Sequence, residues 1–249
     1  MVIKAKFEKS NLDEVVSKLK QCASGTSALI IKNILNNYTL KEFEEFLTFR
    51  MGYLNDDRQF NLKNILDSKK WFSVYYNKNK SDVYTHSNTR QPLHNDNAWF
   101  YDPAEMVFLA FQKQAKKGGE NTIYQLDRLL NDLEKDDKQL LADLQSYEVI
   151  IRKDATGKYF NKTKIIEKDS IYWNYYRTEK PNQTIRRMCD KFFSYLESKE
   201  STNSVEVLRC ESNDMLCFND TKMLHGRTKF LAKKEEDRII HQSMWYINN

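Results

Sequence analysis

Three residues of types that bind transition metals stand at suggestive positions in this chain: His94 and Asp96 in LHNDNAWF, and His225 in LHGRTKF. If the first segment is a strand, residues i and i+2 point to one face, and an imidazole and a carboxylate stand side by side. With His225 they form a two-histidine, one-carboxylate set, which holds Fe(II) on one side and leaves the other positions open. Gly226 allows close backbone approach, and Arg227 and Arg238 offer guanidinium forks suited to a carboxylate. Arg238 follows His225 by about the length of a hairpin, so a single hairpin is expected to bring ligand and arginine to the same mouth.

The elements that must position these residues read as many short strands with a few helices. GTSALIIK, WFSVYY, EMVFLAF, SVEVLRC, DMLCFND and RIIHQSMWYI are strand-like, and the Gly pair of KKGGENTIYQ predicts a turn before another strand. Asn11-x-x-Glu14 and Thr39-x-x-Glu42 have the form of capping boxes. Ile185, Met188, Cys189, Phe192, Phe193 and Leu196 recur at helical spacing. This pattern predicts a β-sandwich or barrel with helices outside. We expect one domain over 1–249, with an N-terminal α/β part over about 1–80 packed on the core and helices and strands inserted over about 126–200.

Composition narrows the function classes. The 249 residues are 40% hydrophobic and 30% charged, with 6 Gly and 3 Pro, as befits a globular chain with few flexible linkers. The net charge of +5 is scattered rather than clustered, so it reads as a solvated lysine-rich surface, and no nucleic-acid partner is expected. The four cysteines lack C-x-x-C spacing, and no apolar run approaches a membrane span or a signal sequence. A cytoplasmic location and no membrane partner are expected.

Taken in order, His-x-Asp, Gly-Gly-Glu-x-Thr, Leu-His-Gly-Arg-Thr and Asp-Arg resemble the taurine dioxygenase (TauD/TfdA), clavaminate synthase-like family of Fe(II)/2-oxoglutarate oxygenases. The matching pieces span roughly Pro92 to Trp245. The resemblance implies a double-stranded β-helix, or jelly-roll, core of mostly β structure with flanking helices. It implies iron bound by His94, Asp96 and His225, with 2-oxoglutarate held by Thr122 and, at its distal carboxylate, by Arg238. It also implies O2 as oxidant and succinate and CO2 as products. Gln242 stands where some relatives carry a second arginine, which argues against a sulfonate substrate. Asp96 argues against halogenation, and Asn213-Asp214 replaces a common Gly-Asp.

Asn97, Trp99, Arg90 and Arg227 are the candidates for substrate contact. His86 and His241 read as satisfied core or surface histidines. The expected reaction is hydroxylation or desaturation of a small polar metabolite such as a free or derivatised amino acid. Oxidation of a macromolecule and a non-catalytic jelly-roll binding module are the alternatives; the complete set of candidate ligands counts against the second. Because imidazole must be neutral to bind metal, iron affinity is expected to fall in mild acid.

Overall fold

The computed structural model describes residues 1–6, 11–25, 27–56, 58, 70–81 and 83–247. In chain order the elements are β1 (Val2–Lys6), α1 (Leu12–Ala23), β2 (Ala28–Lys32), α2 (Ile34–Asn37), α3 (Leu40–Arg50), β3 (Leu54–Asn55), β4 (Phe72–Tyr75), β5 (Gln91–His94), β6 (Met106–Lys113) and β7 (Asn121–Gln125). An excursion follows: α4 (Leu126–Asp136), α5 (Lys138–Ser146), β8 (Glu148–Arg152), β9 (Phe160–Lys164), β10 (Ile166–Glu167), β11 (Ser170–Ile171) and α6 (Gln183–Ser201). The chain then closes with β12 (Glu206–Leu208), β13 (Met215–Asn219), β14 (Met223–Arg227) and β15 (Ile239–Tyr246).

Two sheets make the core. The larger runs β1-β2-β13-β6-β15-β3, with β4 also on β15; the smaller runs β12-β7-β14-β5. This is the jelly-roll core, with helices outside. β1 pairs parallel to β2, and the other strands of the two sheets pair antiparallel. β1 is not among the expected strands: VIKAK alternates apolar residues with lysines at a sheet edge, where only one face is covered.

Strand alternation sorts the apolar side chains into three layers. Ile30, Val107, Leu109, Leu216 and Met244 of the large sheet meet Ile123, Leu208 and Met223 of the small sheet in the interior. Leu29, Ile31, Phe108, Ala110 and Cys217 point the other way, against Val15, Leu19, Phe43 and Leu47 of α1 and α3. Leu93, Tyr124 and Leu224, on the outer face of the small sheet, pack on Leu129, Leu133, Trp173 and Phe192. β6 reads as a continuous apolar run because helices cover one face and the second sheet the other.

Thr39 and Glu42 form a complete capping box at α3. Asn11 does not cap α1 with its side chain; its amide donates instead to the carbonyl oxygen of Lys6. Asn213 takes φ +72, a conformation asparagine tolerates, and its neighbour Asp214 is fully buried and paired with Lys32.

His86 and His241 are both buried and satisfied. His86 Nδ1 meets the carbonyl oxygen of Tyr75, while His241 Nε2 lies 2.7 Å from Gln112 Oε1 and Nδ1 3.2 Å from Ser73 Oγ. Burial pushes the His241 imidazole down to about 4. Between pH 6.5 and 4 the unfolded chain therefore takes up a proton that the folded chain refuses. Stability falls as the pH drops through that window, by up to about 3 kcal/mol from this residue. Denaturant unfolding at pH 7 and 4.5 should give a smaller loss in His241→Gln than in the wild type.

Candidate metal centre

β5 and β14 are neighbours in the small sheet, and His94 and His225 stand directly opposite one another. Directly paired residues share a face, and the two imidazole centroids are 4.4 Å apart. Asp96 joins them by a different route from the expected one. The strand ends at His94, so alternation does not aim Asp96. Asp220, in the turn between β13 and β14, does. Its carboxylate accepts the backbone N–H groups of Asp96 (2.9 Å) and Asn97 (3.3 Å). Asn95 locks the same bend: its amide donates to the carbonyl oxygens of Asp220 and Met223 and accepts from the N–H of Trp173.

One donor atom from each of His94, Asp96 and His225 lies within 4.8 Å of the others. Asp96 Oδ1 is 3.2 Å from His94 Nε2, and Oδ2 is 3.2 Å from His225 Nε2. The remaining ring nitrogens face protein acceptors. His94 Nδ1 donates to the carbonyl oxygen of Pro92 at 2.9 Å. His225 Nδ1 is 3.0 Å from Asp220 Oδ1, an electrostatic partner outside hydrogen-bond alignment. Both Nε2 lone pairs are thereby turned toward the common point. The amides of Gln91 and Gln242 donate toward this same cluster, at His94 Nε2 and Asp96 Oδ2. Burial opposes charge on Asp96 and on His225. The His225 and His94 rings outweigh it and hold the Asp96 carboxyl well below the usual range, while Asp96 and Asp220 raise His225. A divalent cation would take the place of the proton that these carboxylates favour on His225, since the set joins two imidazole nitrogens to a carboxylate with Asp220 behind.

A small cavity adjoins the triad, with Asp96, His225, Asn121, Arg227, Arg238 and Gln242 on its wall. His225 and Arg238 do not share a hairpin. β14 lies in the small sheet and β15 in the large one, so the connection crosses the sandwich, and the two residues meet across its interior. Arg238 is 2% exposed, and its hydrogen bond among the described residues goes from Nε to the neutral Gln114 Oε1 at 3.2 Å. It stacks on Phe230 and Phe111. Burial holds its pKa well below the ordinary arginine value, and no carboxylate of the described residues lies within ion-pair distance. A buried cation without a counter-ion is costly, and it marks a site for an anionic ligand. Gly119 keeps the space open: a Cβ there would lie 3.1 Å from both Arg238 Nε and Gln114 Oε1. Asn121 Oδ1, on the same wall, is buried without a partner.

Of the other residues singled out in the sequence, Trp99 lines the two outer cavities. Arg227 reaches the inner cavity but spends its guanidinium on the carbonyl oxygens of Ser87 (2.9 Å) and Thr89 (2.8 Å), bracing the loop before β5. Three residues fall elsewhere. Thr122 is paired with Gly226 and points to the outer face, where its hydroxyl donates to Glu200 at 3.1 Å. Its neighbour Asn121 faces the cavity, because β7 alternates from that residue. Arg90 is tied to Glu197 and Glu200 of α6. Asn97 is buried away from the cavities, with its amide on the carbonyl oxygen of Ala104.

Gly226 accounts for the close packing of this sheet. A Cβ there would approach Thr122 Oγ1 to 2.6 Å and the carbonyl oxygen of Gln91 to 2.8 Å. Asp220 and Asn121 were not legible as site residues. The first lies in a polar turn, and the second differs from Thr122 only in strand parity.

Among solved structures, the chain is similar to the non-heme iron oxygenase OrfP in complex with Fe and alpha-ketoglutaric acid (13% identity, TM-score 0.67, 95% of this chain and 80% of that one). It is similar to asparagine oxygenase in complex with Fe(II), 2S,3S-3-hydroxyasparagine and succinate (12%, 0.61, 97% and 92%). It is also similar to PvcB from Pseudomonas aeruginosa (12%, 0.68, 98% and 85%). These likenesses establish the fold. No curated protein sequence matches the chain. The profile of the family described as taurine catabolism dioxygenase TauD, TfdA matches residues 4–245. With that match over nearly its whole length, the chain belongs to the TauD/TfdA family of 2-oxoglutarate-dependent non-haem iron dioxygenases.

Proposed function

We propose that this protein hydroxylates a small polar metabolite of the amino-acid class, with His94, Asp96 and His225 as iron ligands and Arg238 as the anchor of 2-oxoglutarate. The observation that carries the reading is one cavity with two unlike halves. A cation-binding donor set lies at one end, and the buried, unpaired guanidinium of Arg238 at the other. A dicarboxylic keto acid has the charge to bridge them. Asn121 takes the place assigned to Thr122, since its orphaned amide oxygen faces that space.

Bound ferrous iron with 2-oxoglutarate supplies the oxidising chemistry: O2 is consumed, succinate and CO2 are released, and one oxygen atom enters a C–H bond of the substrate. The chain's own part is orientation. Asp220 and the carbonyl oxygen of Pro92 fix the two imidazoles. Arg238 holds the distal carboxylate of the cosubstrate in a site screened from water by Phe111, Phe230 and Gln114. Trp99 and the outer cavities receive the substrate.

Among the described residues no helix is long and apolar enough to cross a membrane. A reducing, cytoplasmic setting belongs to the same proposal, supported by four buried free cysteines. The amino-acid class is supported by the similar asparagine oxygenase, solved in complex with 2S,3S-3-hydroxyasparagine and succinate.

Three variants test the assignments. His225→Ala should abolish iron-dependent succinate formation; activity at the wild-type level rejects the triad. Asp220→Asn should weaken Fe(II) binding about 10–100-fold while leaving the fold intact, read by anaerobic metal titration. Arg238→Met should raise the KM for 2-oxoglutarate by about 10–100-fold. Without cosubstrate, the same variant should unfold at an equal or higher temperature than the wild type, because an unpaired buried charge has been removed. An unchanged cosubstrate requirement would reject the role of Arg238.

A further inference from the structure

Two larger cavities adjoin the inner one, and Asp96 and Thr85 lie on the walls of all three. The larger, about 500 Å³, has the metal-ligand candidates His94 and Asp96 on its wall, together with Trp99, Tyr84, Tyr175 and Tyr176. Its rings are packed against each other, Tyr84 on Tyr176 at 5.7 Å and Tyr175 on Tyr176 at 5.3 Å. This volume falls in the range of roughly 300–1,000 Å³ that encloses drug-sized ligands. It exceeds what a small free amino acid needs, and its aromatic walls suit a flat or apolar body rather than a polar side chain.

Arg177 lies on the wall of this cavity and on that of its neighbour of about 300 Å³. The nearby cations are already engaged. Arg152 pairs with Glu179, Arg90 pairs with Glu197 and Glu200, and Lys153 donates to the carbonyl oxygen of Arg58. Arg177 is exposed, with Asp154 of the smaller cavity as an electrostatic neighbour, and its guanidinium makes no hydrogen bond or ion pair with the described residues. Its backbone, however, is fixed: the N–H donates to the carbonyl oxygen of Asn174 at 3.0 Å, and its own carbonyl oxygen accepts from Arg152 at 2.9 Å. A planar donor fork on a pinned turn, facing a cavity that reaches the metal centre, is suited to a carboxylate.

We propose that the substrate carries a carboxylate, held by Arg177, and an aromatic or similarly extended apolar body that lies between Trp99 and the tyrosines. This rests on the oxygenase reading above and specifies its substrate. Arg177 and Trp99 become the specificity-determining residues, while Arg90, Asn97 and Arg227 serve the scaffold.

The test is calorimetric binding to Mn(II)-loaded protein saturated with 2-oxoglutarate under non-turnover conditions. L-tyrosine, L-tyrosinamide and L-asparagine are the probes. Tyrosine should bind at least about tenfold more tightly than either of the others, and Arg177→Met should bring tyrosine and tyrosinamide to about equal affinity. The affinity for 2-oxoglutarate, measured in the same samples, should not change in that variant. The proposal is overturned if tyrosine does not bind, if asparagine binds as tightly, or if the preference for the carboxylate survives Arg177→Met. Failure of the protein to bind Mn(II) and 2-oxoglutarate would instead remove the oxygenase reading on which the proposal rests.

Discussion

The pairing of β5 with β14, which sets His94 opposite His225 and shifts register between His225 and Arg227, is the constraint from which the site follows. His94 and His225 are far apart in sequence and come together because backbone hydrogen bonds set them directly opposite. A slip of one residue would send one imidazole to the helix-covered face. Several local devices guard the register. Gly226 admits Thr122 and the β5 backbone at distances no side chain allows, and Glu200 reaches from α6 to both Thr122 and Arg90. The Asp220 carboxylate then fixes where the chain goes after the strand ends.

The second organising feature is electrostatic. The sandwich interior is mostly hydrocarbon, yet it holds a carboxylate between two imidazoles at one end of a cavity and an arginine without a counter-ion at the other. Without ligands, each is a source of instability in a medium that solvates charge poorly. Aromatic rings and one neutral amide are what surround Arg238, so the fold tolerates the charge rather than neutralising it. Such an arrangement makes ligand binding and protein stability strongly linked.

Much of this was readable from the sequence, for definable reasons. His94, Asp96, His225 and Arg238 stood out because their types and order carry the family resemblance. The layers were readable because alternation and helical spacing are local properties, as in β6 and α6. What could not be read depended on partners. Thr122 and Asn121 occupy opposite faces of β7, and which face is interior is decided by β14, a hundred residues away. The eleven-residue connection between β14 (ending at Arg227) and β15 (beginning at Ile239) has the length of a hairpin arm, but it spans two sheets. The strand rule for His94-x-Asp96 reached the right neighbours by the wrong path, because Asn95 and Asp220 bend the chain at that point.

The long separation of β5 and β14 along the chain also orders events during synthesis. A nascent chain that has exposed β5 carries His94 and Asp96, but neither His225 nor the Asp220 that aims them. Both arrive with the connection that leaves β13 in the large sheet and enters β14 in the small one. A chain stalled before β14 therefore lacks two of the four side chains that build the candidate chelating centre, and an incomplete set of this kind holds a metal ion less firmly.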